Sequence, residues 1–174
     1  MSRLYLVRHG EAAAGWGDDA DPGLSEAGRA QAQAMAARLA PMGPLGILVS
    51  PLRRTRETAA ALEELWGTAA TVEPAVGEVP SPTNDLAERS AWLADLLSQP
   101  MASWPAPVQA WRRSIADALE GLGADTVVVS HFVAIRSVVG DDRYHPDYCS
   151  VTVIDNHDGL HVVERGAQRQ TVVR

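Results

Sequence analysis

Short apolar segments alternate along the chain with longer segments that have one apolar face. Three of the short segments are continuous apolar runs, typical of strands that are covered on both faces of a sheet; they lie at residues 4–7, 47–49 and 126–129. Residues 149–155 and 160–165 alternate around Asp158-Gly159, which predicts a β-hairpin. A further short strand is expected near residues 71–72.

The longer segments have the periodicity and the end signals of helices. They lie at residues 24–40, 51–67, 85–98, 106–122 and 132–140. Ser25 fits the N-cap of the first helix, and the second has Pro51 at its start and Gly67 just past its end. Between these elements, residues 11–23 form a Gly- and Asp-rich loop, and the Pro-rich residues 68–84 are expected to be mainly an ordered loop.

Strands that alternate with helices predict an α/β fold with a mostly parallel sheet. A chain of 174 residues with 46% hydrophobic content can build one sizeable core. The chain has no repeat, low-complexity tract or change of composition that would mark a linker. We therefore expect a single domain over residues 1–174, organised as a three-layer α/β/α sandwich.

The charge of the chain limits its partners. The formal net charge is −7, so the surface repels nucleic acid and anionic membranes, and an anionic substrate needs a locally basic pocket. All 15 cationic residues are Arg. Without Lys the chain cannot form a Schiff base, bind pyridoxal phosphate through a lysine or contain a P-loop lysine.

Cysteine content and hydropathy bear on the compartment. Cys149 has no second cysteine with which to form an internal disulfide, which fits a reducing compartment. The apolar run at residues 4–7 is too short for the core of a signal peptide, and no apolar run approaches the roughly 18 residues of a membrane span. We expect a soluble, cytoplasmic protein that binds neither nucleic acid nor membrane and is a monomer or a homodimer.

Chemically active side chains follow three of the predicted strands. The first strand is followed by Arg8 and His9, the third by Ser130 and His131, and the second by Ser50 and a helix start that contains Arg53, Arg54 and Arg56. The carboxyl ends of parallel strands lie along one edge of a sheet, where open α/β folds bind their ligands. The helix start adds free N–H groups and a positive dipole. The sequence therefore predicts a phosphate or carboxylate pocket with two imidazoles.

Four motifs in this chain resemble those of a known family. "LVRHGEA", "DPGLSEAGRAQA", "SPLRRTRETA" and "VVSHFVAIR" occur between residues 3 and about 136. Together, and in this order, they resemble the small phosphatase branch of the histidine phosphatase superfamily, which includes the phosphoglycerate mutases and many small-molecule phosphatases. The resemblance implies a phosphoglycerate mutase-like fold and a reaction that needs no metal or other cofactor.

The resemblance also implies roles for individual residues. His9 would be the nucleophile and become transiently phosphorylated, Arg8 and Arg54 would clamp the phosphoryl oxygens, and His131 would complete the pocket. Arg53 and Arg56 fall on more variable positions of the motif. The chemistry of the side chains agrees, because attack requires a neutral imidazole and two nearby guanidiniums should lower the pKa of His9. Guanidinium groups suit phosphate through paired N–H donors.

The expected activity is that of a metal-independent phosphomonoesterase acting on a small phosphorylated metabolite or a phosphoprotein. A general acid protonates the leaving alcohol, and water then attacks the phosphohistidine with the same group acting as base. Glu78 matches the family's position for this acid best, with Glu73 and Asp85 as alternatives. The surrounding sequence departs from the commoner family pattern, and some small members lack the acid.

Four other interpretations compete with this one. Transfer of the phosphoglycerate mutase type is disfavoured because those enzymes are longer and carry extra segments. A metal hydrolase using His9, Glu11 and His131 lacks the dense Asp/His runs that such sites need, and a serine hydrolase lacks a G-x-S-x-G elbow. A binding module could retain the phosphate pocket without turnover.

Other polar and aromatic residues receive less specific predictions. Glu11 and Asp21 are expected to support the nearby loop. Asp155, His157 and His161 imitate metal-ligand spacing, but they surround the predicted hairpin, and these two histidines and His145 are expected to be structural or solvated. The leaving group would be recognised by residues 11–23 and 74–107. Four tryptophans could line the side of the pocket that receives the leaving group: Trp16, Trp92, Trp104 and Trp111. Most tryptophans of this kind, however, simply pack in or near a core.

Overall fold

The computed structural model describes residues 1–15 and 17–169, which form one six-stranded sheet with helices on both faces. The strands are β1 (Ser2–Arg8), β2 (Gly46–Val49), β3 (Thr71–Val72), β4 (Thr126–Ser130), β5 (Val151–Asn156) and β6 (Leu160–Glu164). The α-helices are α1 (Glu26–Leu39), α2 (Arg53–Trp66), α3 (Leu86–Leu97), α4 (Ala106–Glu120) and α5 (Phe132–Val139). Short 3₁₀ helices lie at Ala40–Met42, Pro74–Val76 and Met101–Ser103.

The order of the strands across the sheet is β3-β2-β4-β1-β5-β6. The first four are parallel to one another, whereas β5 is antiparallel to β1 and β6 is antiparallel to β5. The prediction of a mostly parallel sheet is confirmed. Because β1, β4 and β2 are neighbours, their carboxyl ends lie side by side.

Successive side chains of the central strands point to opposite faces of the sheet and enter two separate cores. On one face Val7, Val127 and Val129 pack with apolar residues of α1 and α2. On the other face Leu6 and Val128 pack with apolar residues of α4 and α5. Strands that are buried on both faces explain the continuous apolar runs in the sequence. The result is the predicted three-layer α/β/α arrangement.

A third apolar cluster lies where α3 and α4 meet the start of α5. It contains Leu96, Val108 and Val133, together with the buried ring of Trp104, whose Nε1 donates to the carbonyl of Leu96 at 2.9 Å. This cluster fixes α3 beside the carboxyl edge of the sheet. No helix in the described part of the chain has the length and apolar character needed to cross a membrane.

The predicted ends of the elements are confirmed in some places and wrong in others. Ser25 caps α1 by accepting from the amide of Gly28, and Gly67 ends α2 in the left-handed conformation, with φ of 63°. The predicted hairpin at Asp158-Gly159 is confirmed, and its turn has positive φ at both residues. The second helix, however, starts at Arg53 rather than Pro51, because Leu52 is extended and forms the N-cap.

Candidate active site

The site begins where three neighbouring strands end. His9 directly follows β1, and its amide donates to the carbonyl of Ser130 at the end of β4, at 3.0 Å. The amide of Ser50, directly after β2, donates to the carbonyl of Val129 at 3.1 Å. These backbone bonds continue the sheet by one residue beyond the strands, so the side chains that follow are placed on a rigid edge.

The ring of His9 is held in one orientation and one tautomer. Its Nδ1 lies 2.7 Å from the carbonyl oxygen of Gly10. A carbonyl oxygen can only accept, so Nδ1 carries the proton, and Nε2 has the lone pair of the neutral ring. The Nε of Arg54 donates to this Nε2 at 3.3 Å. The nucleophilic nitrogen of His9 therefore faces the guanidinium of Arg54.

The guanidinium of Arg54 connects the members of the site. Besides the bond to His9, its Nη2 donates to Oε2 of Glu78 at 3.0 Å and lies 3.4 Å from Nδ1 of His131. The side chain is 3% exposed, so these charges interact in a medium that screens them weakly. Arg54 is in the first turn of α2, whose N-terminus adds a positive potential.

His131 is fixed from both sides. Its Nδ1 lies 3.2 Å from Oε2 of Glu78, and because a carboxylate accepts, Nδ1 is the donor. The hydroxyl of Ser50 lies 2.8 Å from Nε2. The ring centroids of His131 and His9 are 5.4 Å apart in an edge-to-face arrangement.

Arg8 completes the positive side of the site and is held by aromatic rings. Its guanidinium carbon lies 4.1 Å from the centre of the Tyr148 ring and 5.2 Å from that of Phe132. Its Nη1 donates to the carbonyl of Pro146 at 2.9 Å. Contacts of this kind between a cation and an aromatic face are strongest when both are desolvated, and Arg8 is 6% exposed.

Two guanidinium donors of the site have no partner among the described residues. They are Nε of Arg8 and Nη1 of Arg54, and both atoms are buried. Leaving a buried donor unpaired has a free-energy cost, and such groups are concentrated where a ligand or ion completes the bonding. The unpaired donors indicate a site for an oxyanion between the two arginines.

The pKa values of the central groups are shifted in directions that suit this chemistry. Burial lowers the pKa of His9 well below its ordinary value of 6.5, and His131 and Arg54 lower it further. Burial by itself raises the pKa of the Glu78 carboxyl, but the interactions with His131 and Arg54 outweigh it and hold this pKa well below its usual range. In the free protein His9 is therefore neutral and Glu78 ionised.

Tight backbone packing supports the motif that carries His9. The amide of Gly10 donates to Oγ1 of Thr58 at 3.0 Å, and the same hydroxyl donates to the carbonyl of Arg54 at 2.7 Å. Thr58 thus joins the two segments that supply the nucleophile and its arginine. A Cβ on Gly28 would lie 2.1 Å from the carbonyl oxygen of Glu11, so the start of α1 contacts the motif backbone directly.

The charged groups of the site form the floor of a pocket of about 410 Å³. Arg8, His9, Arg54 and Glu78 line it, and the loop at residues 11–15 forms part of its wall. The volume falls within the range of sites that enclose a whole small molecule. The floor can bind a phosphoryl group, and the rest of the pocket has room for the group to which it is attached.

The family follows from the comparison of the sequence with known families. The model described as "Histidine phosphatase superfamily (branch 1)" matches residues 4–168, which is nearly the whole chain. The chain belongs to this superfamily.

The relatives of this chain include a curated protein described as a probable mutase. This chain is 28% identical over 124 residues to a probable phosphoglycerate mutase of Erwinia tasmaniensis. The alignment covers 69% of this chain and 52% of the relative. The chain thus spans about half the length of that mutase.

Solved structures share the fold along their whole length. A phosphoserine phosphatase of Entamoeba histolytica, in complex with 3-phosphoglyceric acid, has a TM-score of 0.73 at 19% identity, with 97% of this chain and 98% of that chain covered. A mycobacterial glucosyl-3-phosphoglycerate phosphatase has a TM-score of 0.66 at 24% identity, with 93% and 98% covered. At these identities the likeness shows the fold alone.

The three carboxylates considered for the general acid have different positions in the structure. Glu78 contacts Arg54 and His131 in the floor of the pocket. Glu73 accepts from the amide of Ala75 and caps the 3₁₀ helix Pro74–Val76, and Asp85 caps α3. Two of the three are therefore engaged in capping, and Glu78 is the one at the phosphate site.

The supporting acidic residues near the motif have distinct contacts. Glu11 accepts from the hydroxyl of Ser25 at 2.8 Å, which links the motif to the N-cap of α1. Asp21 accepts from the amide of Arg53 at 2.7 Å, so the loop at residues 11–23 is attached to the start of α2. Arg53 itself is an exposed residue that pairs with Glu57.

The other histidines lie outside the site floor. The ring of His145 stacks on Phe132 at 4.7 Å, and His157 and His161 lie 5.1 Å apart at the hairpin. Asp155 pairs with Arg3 at 2.8 Å. In the described part of the chain, no group of three or more His, Cys, Asp or Glu side chains is arranged to hold a metal ion.

None of the tryptophans in the described part of the chain is among the lining residues of the pocket. Trp104 is buried, and Trp92 and Trp111 pack at the edge of its cluster. Trp16 lies outside the described residues.

Sequence reasoning missed two rings of the site, Phe132 and Tyr148. Phe132 directly follows His131, so its place next to the predicted site was a usable signal. Tyr148 gave no such signal, because it lies in an irregular segment whose backbone meets the end of β1 through a bond from the Cys149 amide to the Arg8 carbonyl at 2.9 Å.

Proposed function

We propose that this chain is a metal-independent phosphomonoesterase that acts through a phosphohistidine at Nε2 of His9. The observation that carries the proposal is the direction of this nitrogen. Its lone pair faces Arg54, while the bond from Nδ1 to the Gly10 carbonyl keeps the proton on the other side of the ring. A neutral, oriented nucleophile next to phosphate-binding donors is what phosphoryl transfer requires.

In the first step the phosphoryl group lies between Arg8 and Arg54, and Nε2 of His9 attacks the phosphorus atom. The bond to the leaving oxygen breaks as the bond to Nε2 forms. Negative charge on the equatorial oxygens is stabilised by the two guanidiniums and by the imidazole of His131, which are already in place before the reaction. The two unpaired buried donors, Nε of Arg8 and Nη1 of Arg54, support this assignment.

Glu78 is the proton donor of the first step. Its carboxyl is ionised in the free protein because His131 and Arg54 lower its pKa. A phosphoryl dianion bound to Arg54 offsets this positive charge and raises the pKa of Glu78, so that substrate binding favours the protonated form that a general acid needs. The acid then protonates the leaving oxygen and becomes a carboxylate.

In the second step water attacks the phosphohistidine opposite Nε2, and the Glu78 carboxylate accepts its proton. Inorganic phosphate leaves and His9 returns to its neutral form. Transfer to a second alcohol in place of water would be the mutase reaction. The alignment covers only 52% of the mutase relative, whereas the two phosphatases that share the fold of this chain are covered almost completely, which favours hydrolysis.

Release of phosphate from p-nitrophenyl phosphate tests the proposal. We expect turnover that is undiminished in EDTA, loss of turnover in His9→Ala, and an acid-labile, base-stable phosphoprotein in wild type after a rapid quench with radiolabelled substrate. His161→Ala, which removes an exposed imidazole of the hairpin, is the matched control and should behave as wild type. Binding of phosphate without turnover in the wild-type protein would instead make the chain a phospho-ligand binding module.

A further inference from the structure

The wall of the active-site pocket has a different chemistry from its floor. The floor holds the charged groups of the phosphate site. The wall is formed by residues 12–15 and Pro22 of the first loop, by Leu93 of α3, and by the rings of Phe132 and Tyr148. These groups present methyl, methylene and aromatic carbon to the volume that the leaving group of a substrate would occupy.

Within the described lining, the positive charges lie in the floor of the pocket and not in its wall. Its two cations, Arg8 and Arg54, both lie in the floor and would be bonded to the phosphoryl group. The charged side chain that the wall contributes is Glu11, whose Oε1 is held by the hydroxyl of Ser25 at 2.8 Å. A second anionic group on the substrate would therefore lose its hydration next to a carboxylate, without gaining a cation.

We infer that the substrates are phosphomonoesters whose leaving group is an uncharged alcohol or phenol with an apolar body, and that substrates with a carboxylate or second phosphate on the leaving group are disfavoured. This inference rests on the proposed function. The pocket of about 410 Å³ is large enough to hold such a body beyond the phosphoryl group. Burial of the body against the loop and the two rings supplies binding free energy that the phosphate site alone does not.

A pair of substrates that differ in charge but not in shape tests the exclusion of a second anion. The pair is 4-(carboxymethyl)phenyl phosphate and its primary amide, in which a methylene insulates the phenol from the substituent. We expect kcat/KM for the amide to exceed that for the carboxylate by at least about tenfold at low salt. Equal values, or a preference for the carboxylate, would overturn the inference.

A series of alkyl phosphates tests the apolar wall. Methyl to hexyl phosphate have leaving groups of nearly constant basicity, so differences in kcat/KM report on binding of the chain. We expect kcat/KM to rise by about threefold to fourfold for each methylene that becomes fully buried, until the pocket is filled. A flat series would contradict the role given to the wall.

Charge variants locate the effect on the wall. Ala13 is an exposed lining residue, so Ala13→Lys adds a cation there with little effect on packing. Ala20→Lys is the matched control, because it adds the same charge to an exposed position of the same loop outside the described lining. We expect Ala13→Lys to raise the carboxylate-to-amide ratio of kcat/KM by about threefold or more, and Ala20→Lys to leave the ratio unchanged.

Arg169 is an exposed cation next to the wall that could bind a second anion and so reverse the preference for the amide. Its guanidinium lies 5.5 Å from the centre of the Tyr148 ring, although it is not among the residues of the described lining. Arg169→Ala should leave the carboxylate-to-amide ratio unchanged. A ratio in wild type that favours the carboxylate and falls in Arg169→Ala would show a second anion site and overturn the inference. Absence of hydrolysis and of phosphohistidine with every ester would instead count against the proposed function.

Discussion

Nη2 of Arg54 lies 3.0 Å from Oε2 of Glu78, and their side chains are 3% and 14% exposed. This ion pair joins the proposed phosphate-binding cation to the proposed proton donor. Because both groups are largely desolvated, the charge of a bound phosphoryl group acts strongly on the carboxyl through Arg54. Substrate binding and protonation of the acid are thus coupled by one pair of side chains.

Replacement of the proposed acid should matter most for poor leaving groups. In Glu78→Gln, we expect single-turnover cleavage of an alkyl phosphate to slow by about 10²-fold or more, because the alkoxide then leaves without a proton. Cleavage of p-nitrophenyl phosphate should slow far less, since p-nitrophenolate needs no acid. Rapid-quench measurement of the phosphohistidine compares the two substrates.

The control for this experiment is Glu73→Gln, which alters a carboxylate of the same loop that caps the 3₁₀ helix. It should retain wild-type rates with both substrates. An equal loss with the alkyl and p-nitrophenyl esters in Glu78→Gln would assign the residue to phosphate binding and not to proton donation.

The imidazole of His9 should stay neutral at pH values at which an ordinary histidine is protonated. Burial, His131 and Arg54 lower its pKa well below 6.5, so the nucleophilic form persists as the pH falls through 6. An unperturbed imidazole would be about three quarters protonated at pH 6. NMR titration of the ring carbons of the free protein, assigned with His9→Asn, measures this directly; a midpoint at or above 6.5 would contradict the geometry.

The fold was predictable where burial of a strand on both faces produces a continuous apolar run in the sequence. The apolar runs of β1, β2 and β4 are covered on both faces, and their identification required no knowledge of their partners. The first two residues of β1 are polar, and they belong to the strand because Ser2 pairs with Asn156 and Arg3 with Asp155 on β5. A strand end that is defined by a distant partner has no local signal.

The site was predictable for those residues that directly follow a strand, because the end of the strand determines their position. Arg8, His9 and His131 follow strands directly, so their convergence required only the parallel order of the sheet. The largest cause of the pKa shift at His9 was less accessible: two guanidiniums were predicted to lower this pKa, and they do, but burial contributes most, followed by His131 and Arg54. Burial depends on the packing of the whole edge and cannot be obtained from the motif.

His145 should make the stability of the protein depend on pH. Burial, followed by Arg8 and Arg136, lowers the pKa of His145 to about 4. Below the unfolded value of 6.5 the unfolded chain binds the proton more readily, so stability falls as the pH drops from about 6.5 towards 4. Because the ring is only partly buried and solvent screens its charge, this shift corresponds to about 1–2 kcal/mol of stability.

Urea unfolding at pH 7 and pH 4.5 measures this contribution. His145→Phe keeps a ring stacked on Phe132 but cannot titrate, and it should lose less stability between the two pH values than wild type does. His161→Phe, a matched change on the exposed hairpin, serves as the comparison. If His145→Phe and wild type lose the same stability, the imidazole of His145 is not the source of the pH dependence.

Tyr148 should act by positioning Arg8. Its ring lies 4.1 Å from the guanidinium carbon, so Tyr148→Leu removes a contact between a cation and an aromatic face in a buried setting. We expect kcat/KM to fall about fivefold to thirtyfold, mainly through KM, since Arg8 binds the phosphoryl group in the ground state as well. Tyr148→Phe keeps the ring and should restore wild-type values; a loss in Tyr148→Phe equal to that in Tyr148→Leu would assign the effect to the hydroxyl.

Gly28 should be intolerant of any side chain, although it lies in a helix. A Cβ there would be 2.1 Å from the carbonyl oxygen of Glu11, and neither backbone can yield without moving α1 or the motif that carries His9. We expect Gly28→Ala to lower the free energy of unfolding by about 1–3 kcal/mol and to reduce turnover of the folded fraction.

Gly123→Ala is the control, because a Cβ at that exposed position meets nothing within 4 Å. This variant should be neutral or stabilise the protein by about 0.4–1 kcal/mol. Equal unfolding midpoints in urea for the two variants would show that the start of α1 can separate from the motif without cost.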